Sequence, residues 1–197
     1  MKKTLLFLML AFCSFAFAQK VTLKEGSFDF LKGEKNVNVR FDFNDVKFYK
    51  ENMSEQAYIE KRKEEISENK NEDEFTKWHA DWERTKSIQI PEKFLASFNK
   101  YGDIKASQGS NEKYTVVVET TWIYPGWFAG VMNQPSKVST LLKFVETQNP
   151  SNVLAVVESV NAPGDNFVGV PNNNDRIAEA YAKTSKELVQ FMRKKMK

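Results

Sequence analysis

Residues 114–127, YTVVVETTWIYPGW, make the longest strand-like run in the chain, and it stops at Pro125-Gly126 before an aromatic pair, Trp127 and Phe128. Simple alternation puts Tyr114, Val116, Val118, Trp122 and Tyr124 on one face, with Thr120 among them. Thr115, Val117, Glu119, Thr121 and Ile123 fall on the other. Both faces are largely apolar, which predicts a central strand covered on both sides. On that reading Trp122 and Tyr124 pack under a helix, while the turn at 125–128 runs over the surface as connections do.

The segments around this run alternate in period. Residues 36–43 place Val37, Val39, Phe41 and Phe43 against Asn36, Asn38, Arg40 and Asp42, a half-buried strand with one wet face. The preceding residues 21–33 read as an extended lead-in with turns at Gly26 and Gly33. From Ser54, a good N-cap, the period becomes helical, with a thin stripe of Ala57, Tyr58, Ile59, Arg62 and Ile66. Asn71 with Glu74 three residues on marks a second helix start, and Phe75, Trp78 and Trp82 give that helix an aromatic face. Pro91 at a first helical position and Gly102 just past the end bracket a third helix. Residues 105–112 read as a loop. Beyond the central run, residues 137–147 and 153–160 are strands joined by a compact turn, Asn149-Pro150-Ser151-Asn152, too short for a parallel crossover. A loop rich in Gly, Pro and Asn, carrying Phe167, leads into a last helix over 175–194.

The order strand, three helices, three strands, helix predicts a single α+β domain. Its sheet is mixed but mainly antiparallel, with about four to five strands packed against about four helices. The first strand, separated from the others by helices, is expected to pair in parallel through a right-handed crossover.

Residues 1–18 read as a secretory signal peptide: Lys2 and Lys3, a nearly unbroken apolar run over 5–17, and Ala16-Phe17-Ala18 before Gln19. The run is short for a membrane anchor, which needs about 20 apolar residues. The only cysteine, Cys13, lies inside it, and Phe12 stands where lipid-attachment signals want a small residue. Cleavage after Ala18 leaves a domain at 19–197 without cysteine, which rules out disulfides and thiolate chemistry there. Without Lys2 and Lys3 the chain has 27 basic against 26 acidic residues. That balance gives no reason to expect nucleic acid or an anionic membrane as partner. No later segment is apolar enough to span a membrane. The expected setting is outside the cytoplasm, periplasmic or extracellular.

Little in the sequence points to catalysis. The single histidine, His79, has no G-x-S-x-G elbow to serve, and Asp81 lies on another side of its helix. One histidine without cysteine falls short of an ordinary zinc site. The acidic clusters at 72–74 and around Asp165, Asn166 and 172–175 lack EF-hand spacing. Neither a metal nor a cofactor is expected. Paired carboxylates from distant positions leave a small hydrolase of envelope glycans or peptides open, and a small-ligand carrier is a third reading. The charged stretch KRKEEISENKNEDE suits a solvated helix face or a charged interaction surface. The aromatic turn is the leading candidate: Trp127 and Phe128, with Tyr124 beside them, either anchor a protein or glycan partner or fold back over the core. Phe167 is a weaker candidate. Arg176, at a helix start where the dipole disfavours a cation, calls for an acidic neighbour or a ligand.

YTVVVETTWIYPGWFAGVM, LLKFVETQNPSNVLAVV, NAPGDNF and DRIAEAYAKTSKELVQFMRK together resemble a family of small secreted bacterial proteins of uncharacterised activity, at PGW, FVE, APG and RIAEAYAK. The resemblance runs from Asn36 to the end and implies no catalytic residue. The element order is more distantly similar to the amino-terminal domain of TolB and to lipoprotein activators of penicillin-binding proteins. That similarity implies protein–protein contacts in the envelope and transfers no residues. The leading expectation is a non-enzymatic, secreted envelope module for binding or scaffolding.

Overall fold

The computed structural model describes residues 19–69, 71–129, 132–164 and 173–197. The expected signal segment and Phe167 lie outside them. In chain order the elements are β1 (Lys20–Gly26), β2 (Asn36–Asp42), β3 (Lys47–Phe48), α1 (Glu55–Asn69), α2 (Glu72–Arg84), α3 (Ile90–Tyr101), β4 (Lys105–Gln108), β5 (Tyr114–Tyr124), β6 (Trp127–Ala129), β7 (Met132–Gln134), β8 (Lys137–Glu146), β9 (Asn149–Pro163) and α4 (Asn173–Lys195). The fold is α+β, as expected. Its mixed sheet has seven strands, in the order β1-β9-β8-β5-β2-β4 with β3 also against β5; β6 and β7 form a separate hairpin.

β5, β8 and β9 are the expected antiparallel meander, and β2 pairs in parallel with β5. Two of the additional strands come from segments whose sequence reads as an extended lead-in and as a loop. The lead-in pairs with β9 as β1, and residues 105–108 pair with β2 as β4. The β8–β9 connection is tighter than expected: Glu146 already faces Asn149, so the turn is Thr147-Gln148 and Pro150 belongs to the start of β9. Register shifts in the same region leave room for a residue that cannot donate to a ladder.

Ser54 caps α1, its Oγ accepting from Ala57 N–H at 3.2 Å, and Asn71 caps α2, its Oδ1 accepting from Glu74 N–H at 3.1 Å. The third helix does not begin afresh at Pro91. α2 runs through a π turn at Thr85–Gln89 straight into α3, with Ile90 N–H reaching back to Thr85 O. Pro91 has no N–H for the helical bond to Ser87 O, and the wider turn absorbs that missing donor. Gly102 ends the rod where expected, its N–H bonded to Phe98 O at 2.8 Å.

The helices cover one face of the sheet. α4 lies on β9, β8 and β1, and α3 packs against α4 and β4. Between them Val116, Val118, Leu142, Phe144, Val157, Phe94, Phe98, Ile177 and Leu188 are fully buried; each contributes about 1.5–3 kcal/mol relative to exposure. On the opposite face Glu119, Thr121, Leu141, Lys143, Val156 and Glu158 are half-buried, and among the described residues no helix packs there. Coverage on both sides, expected from the apolar alternation of β5, is therefore not what the fold provides. Thr115, Val117 and Val145 on this face are shielded instead by flanking side chains, Arg40 and Lys143 standing on either side of Val117.

The edge at β4 is closed by a side chain. Lys105 N–H donates inward to Lys35 O at 2.8 Å, so Ala106 turns its backbone groups outward. The Asn99 amide takes both: Nδ2 donates to Ala106 O at 2.9 Å and Oδ1 accepts from Ala106 N–H at 2.7 Å. Asn99→Ala is expected to lower stability by about 1–3 kcal/mol in urea unfolding. It should also produce concentration-dependent dimers in light scattering, because a bare edge recruits another strand.

Candidate functional site

The geometry of the site begins with a β-bulge in β5. Thr120 faces Thr140 and Trp122 faces Ser139, so Thr121 is an extra residue on the β5 side. The bulge inverts the alternation. Before it, Val116, Val118 and Thr120 point into the helix-covered core, and Thr120 Oγ1 meets the buried Tyr181 hydroxyl at 2.6 Å. Beyond it, Ile123 takes the core side opposite Val138. Trp122 and Tyr124, expected under a helix, are thereby placed on the face opposite α3 and α4. An insertion of one residue flips every side chain after it.

There they form an aromatic patch with Tyr49. Trp122 and Tyr124 stack with centroids 6.2 Å apart and planes 13° from parallel, and Tyr49 meets Tyr124 edge-on at 5.9 Å. Trp122 Nε1 donates to Tyr49 O at 2.7 Å, which ties the indole to a residue whose φ is +56°. Burial pushes the Tyr49 hydroxyl above its usual range, assisted by the Glu65 carboxylate. Lys61 lies 5.0 Å from the Tyr49 ring centre, and Lys47 and Lys137 are the cross-strand neighbours of Trp122 and Tyr124.

The turn extends the patch. Gly126 has φ +73°, and a Cβ there would stand 2.4 Å from Gln134 O and 2.7 Å from Ser136 N. Glycine is what allows β6 to fold so closely against the chain leaving β7. Trp127 then pairs with Gln134 across the hairpin. Gln134 Oε1 accepts from both Tyr124 OH, at 2.7 Å, and Trp127 Nε1, at 3.0 Å. Trp127 is 42% exposed, whereas Pro125 is buried. Phe128 is placed in the same hairpin by its backbone pairing with Asn133.

Arg176 sits nearby through a chain of close backbone approaches. Ser136, which abuts Gly126, accepts from Gly164 N–H at 2.8 Å, and a Cβ on Gly164 would meet Arg176 O. The Arg176 side chain is buried and hydrogen-bonds Asn173 Oδ1 in its own first turn. The structure thus gathers Tyr124, Trp127 and the start of α4 at one end of the sheet. Tyr49, through its ring and its carbonyl, and Gln134, through a single amide oxygen, complete the patch from positions that no sequence pattern links to Trp122 and Tyr124.

The remaining candidates lie apart from this patch. His79 stacks on Phe75 at 5.8 Å, and Asp81 accepts from Asn174 Nδ2 at 2.7 Å. Among the described residues, no group of three or more His, Cys, Asp and Glu could hold a metal ion. No described helix is long and apolar enough to cross a membrane. The charged stretch of α1 and α2 carries exposed ion pairs, Lys63–Glu72 at 3.0 Å and Lys77–Glu74 at 2.8 Å.

Neither a protein-family model nor a curated protein matches the chain. Two solved structures of the PelC dodecamer from Paraburkholderia phytofirmans, one of a point variant, are similar over 87% of this chain and 98% of theirs. Both are 12% identical, with TM-scores of 0.42 and 0.40, a likeness too low to carry an argument about this chain.

Gly126→Ala is expected to lower the unfolding free energy by about 1–3 kcal/mol through strain at positive φ. The same substitution should red-shift tryptophan emission as Trp127 leaves Gln134, which steady-state fluorescence will record.

Proposed function

We propose that the protein is an exported cell-envelope module, without catalytic function, that binds a protein or glycan partner through the aromatic patch at the end of β5. One observation carries the reading: Trp122 and Tyr124 are turned to the sheet face opposite α3 and α4, bordered by α1 at Tyr49 and continuous with the exposed Trp127. Large aromatic side chains with satisfied polar tips concentrate binding energy because they offer area with few rotamers to freeze. The lysines around them, Lys47, Lys61 and Lys137, give the patch the polar rim of a binding surface. Kinship with the small secreted family suggested by the PGW and RIAEAYAK segments would fit the same setting. Export would follow cleavage after Ala18, so the mature chain would begin at Gln19, which intact-mass measurement on the native protein would show.

Trp127→Ala with Phe128→Ala is expected to change the unfolding midpoint little, since the Trp127 side chain is exposed and such a removal costs within about 0.5 kcal/mol. The double variant should lose capture of a partner from native envelope extract, measured by pull-down beside the unaltered protein. Unfolding of the double variant would make the turn part of the core, and undiminished capture would remove the patch as the site.

A further inference from the structure

The β2–β4 ladder covers only the first half of β2; its last paired residues are Val39 and Gln108. In a parallel pair, alternate residues turn both N–H and C=O to the same neighbour. Val37 and Val39 turn theirs toward β4, while Asn38, Arg40 and Asp42 turn theirs toward β5, which stays paired as far as Asp42–Glu119. Phe41 therefore presents its N–H and C=O to the β4 side just past the point where β4 ends. Among the described residues no strand occupies that line. The chain leaves it at Gly109, φ +72°, after which Ser110 N–H donates to the Asn38 side chain at 3.2 Å.

Beside this open half-edge lies a cleft of about 370 Å³, between Phe41 and Phe43 of β2, Gln108 of β4, and Ser87 and Pro91 on the helical rod. Its floor is rigid: Phe41 rests edge-on against the buried Phe94 at 5.5 Å, and Phe43 lies 6.3 Å from Tyr181. On its charged wall Lys86 is held by Glu55 at 2.6 Å and by Glu83 at 2.9 Å, so the cation is already paired. The π turn carries Lys86 and Ser87 along this wall. An open backbone donor and acceptor on a strand edge, beside a cleft of mixed polar and apolar lining under a helix, is the geometry that takes an extended peptide, with main-chain bonds on the edge and a side chain in the cleft. A lipid chain offers neither donor nor acceptor to the pair that Phe41 presents, whereas an extended peptide carries both at the spacing that continues the β4 ladder. The plug at Ala106, supplied by Asn99, closes the neighbouring stretch of edge and leaves this one.

We propose that the half-edge at Phe41 is a strand-addition site, at which an extended peptide segment of a partner protein continues the line of β4 and sets an apolar side chain between Phe43, Ser87 and Pro91. The site is separate from the aromatic patch and does not depend on it.

The test selects a phage-displayed random heptapeptide library on the purified protein, then follows the enriched peptide by amide hydrogen exchange and by N-methyl scanning. In the free protein the Phe41 amide should exchange at least about tenfold faster than those of Val39 and Asp42, and bound peptide should slow it by a similar factor. Enriched sequences should share one apolar position. Methylation of the one peptide nitrogen that reaches Phe41 O should abolish binding, and methylation at the adjacent nitrogens should be tolerated. Ser87→Trp, at an exposed position, should fill the cleft and weaken binding at least about tenfold with an unchanged unfolding midpoint. If that variant unfolds, the N-methyl pattern decides alone. A Phe41 amide already protected in the free protein, a library without enriched sequences, or binding indifferent to N-methylation would overturn the proposal.

Discussion

The bulge at Thr121 is the constraint on which the rest of the arrangement depends. An undisturbed β5 would drive Trp122 into the space where Ile123 packs, and would turn Thr120 and its hydrogen bond to Tyr181 out of phase with one end of the strand or the other. With one extra residue the strand serves two environments in succession. Its first half builds the helix-covered core, and its second half keeps Ile123 in that core while exporting two large aromatic rings to the open face. The local cost is an irregular ladder, offset by Thr121 Oγ1 donating to Ser139 O at 3.1 Å and by the indole bond to Tyr49.

The same trade between a regular ladder and a placed side chain recurs elsewhere. The π turn lets a proline ride inside a continuous helical rod, and it brings Lys86 over the Trp82 ring and onto Glu55, whose other donor is Trp82 Nε1 at 2.7 Å. Burial alone would push Lys86 down, but its hydrogen bonds to Glu55 and Glu83 carry it above the ordinary lysine range, so it stays charged. α1 and α2, polar over most of their surfaces, are attached to the domain through that ion pair and through Tyr58 and Trp82 packed on Phe48.

Much of this was legible in residue types alone. The antiparallel meander, the parallel partner of β5, the caps at Ser54 and Asn71 and the stop at Gly102 each follow from a local rule that the three-dimensional structure leaves intact. The misreadings share one cause, which is that strand pairing is decided across the sheet and not along the chain. Residues 20–26 and 105–108 have unremarkable alternation and become strands because β9 and β2 offer them free edges. Nothing in TTWIY announces a bulge, so Trp122 and Tyr124 were assignable to a face only by counting, and counting fails once a residue is inserted. The candidate at Trp127 needed no counting, because Pro125-Gly126 marks its turn directly.

The pairing of β1 with β9 has a further consequence for how the molecule comes into being. Lys20 lies opposite Val160, so β1, made before the other described strands, finds its partner only after β9 has been made. The meander of β5, β8 and β9 can close early from contacts near in sequence. The amino-terminal strand must wait, and closing so long a loop slows the last step of assembly. For that interval the outer flank of β9 is bare, and the newly made chain exposes the surface that β1 is there to cover.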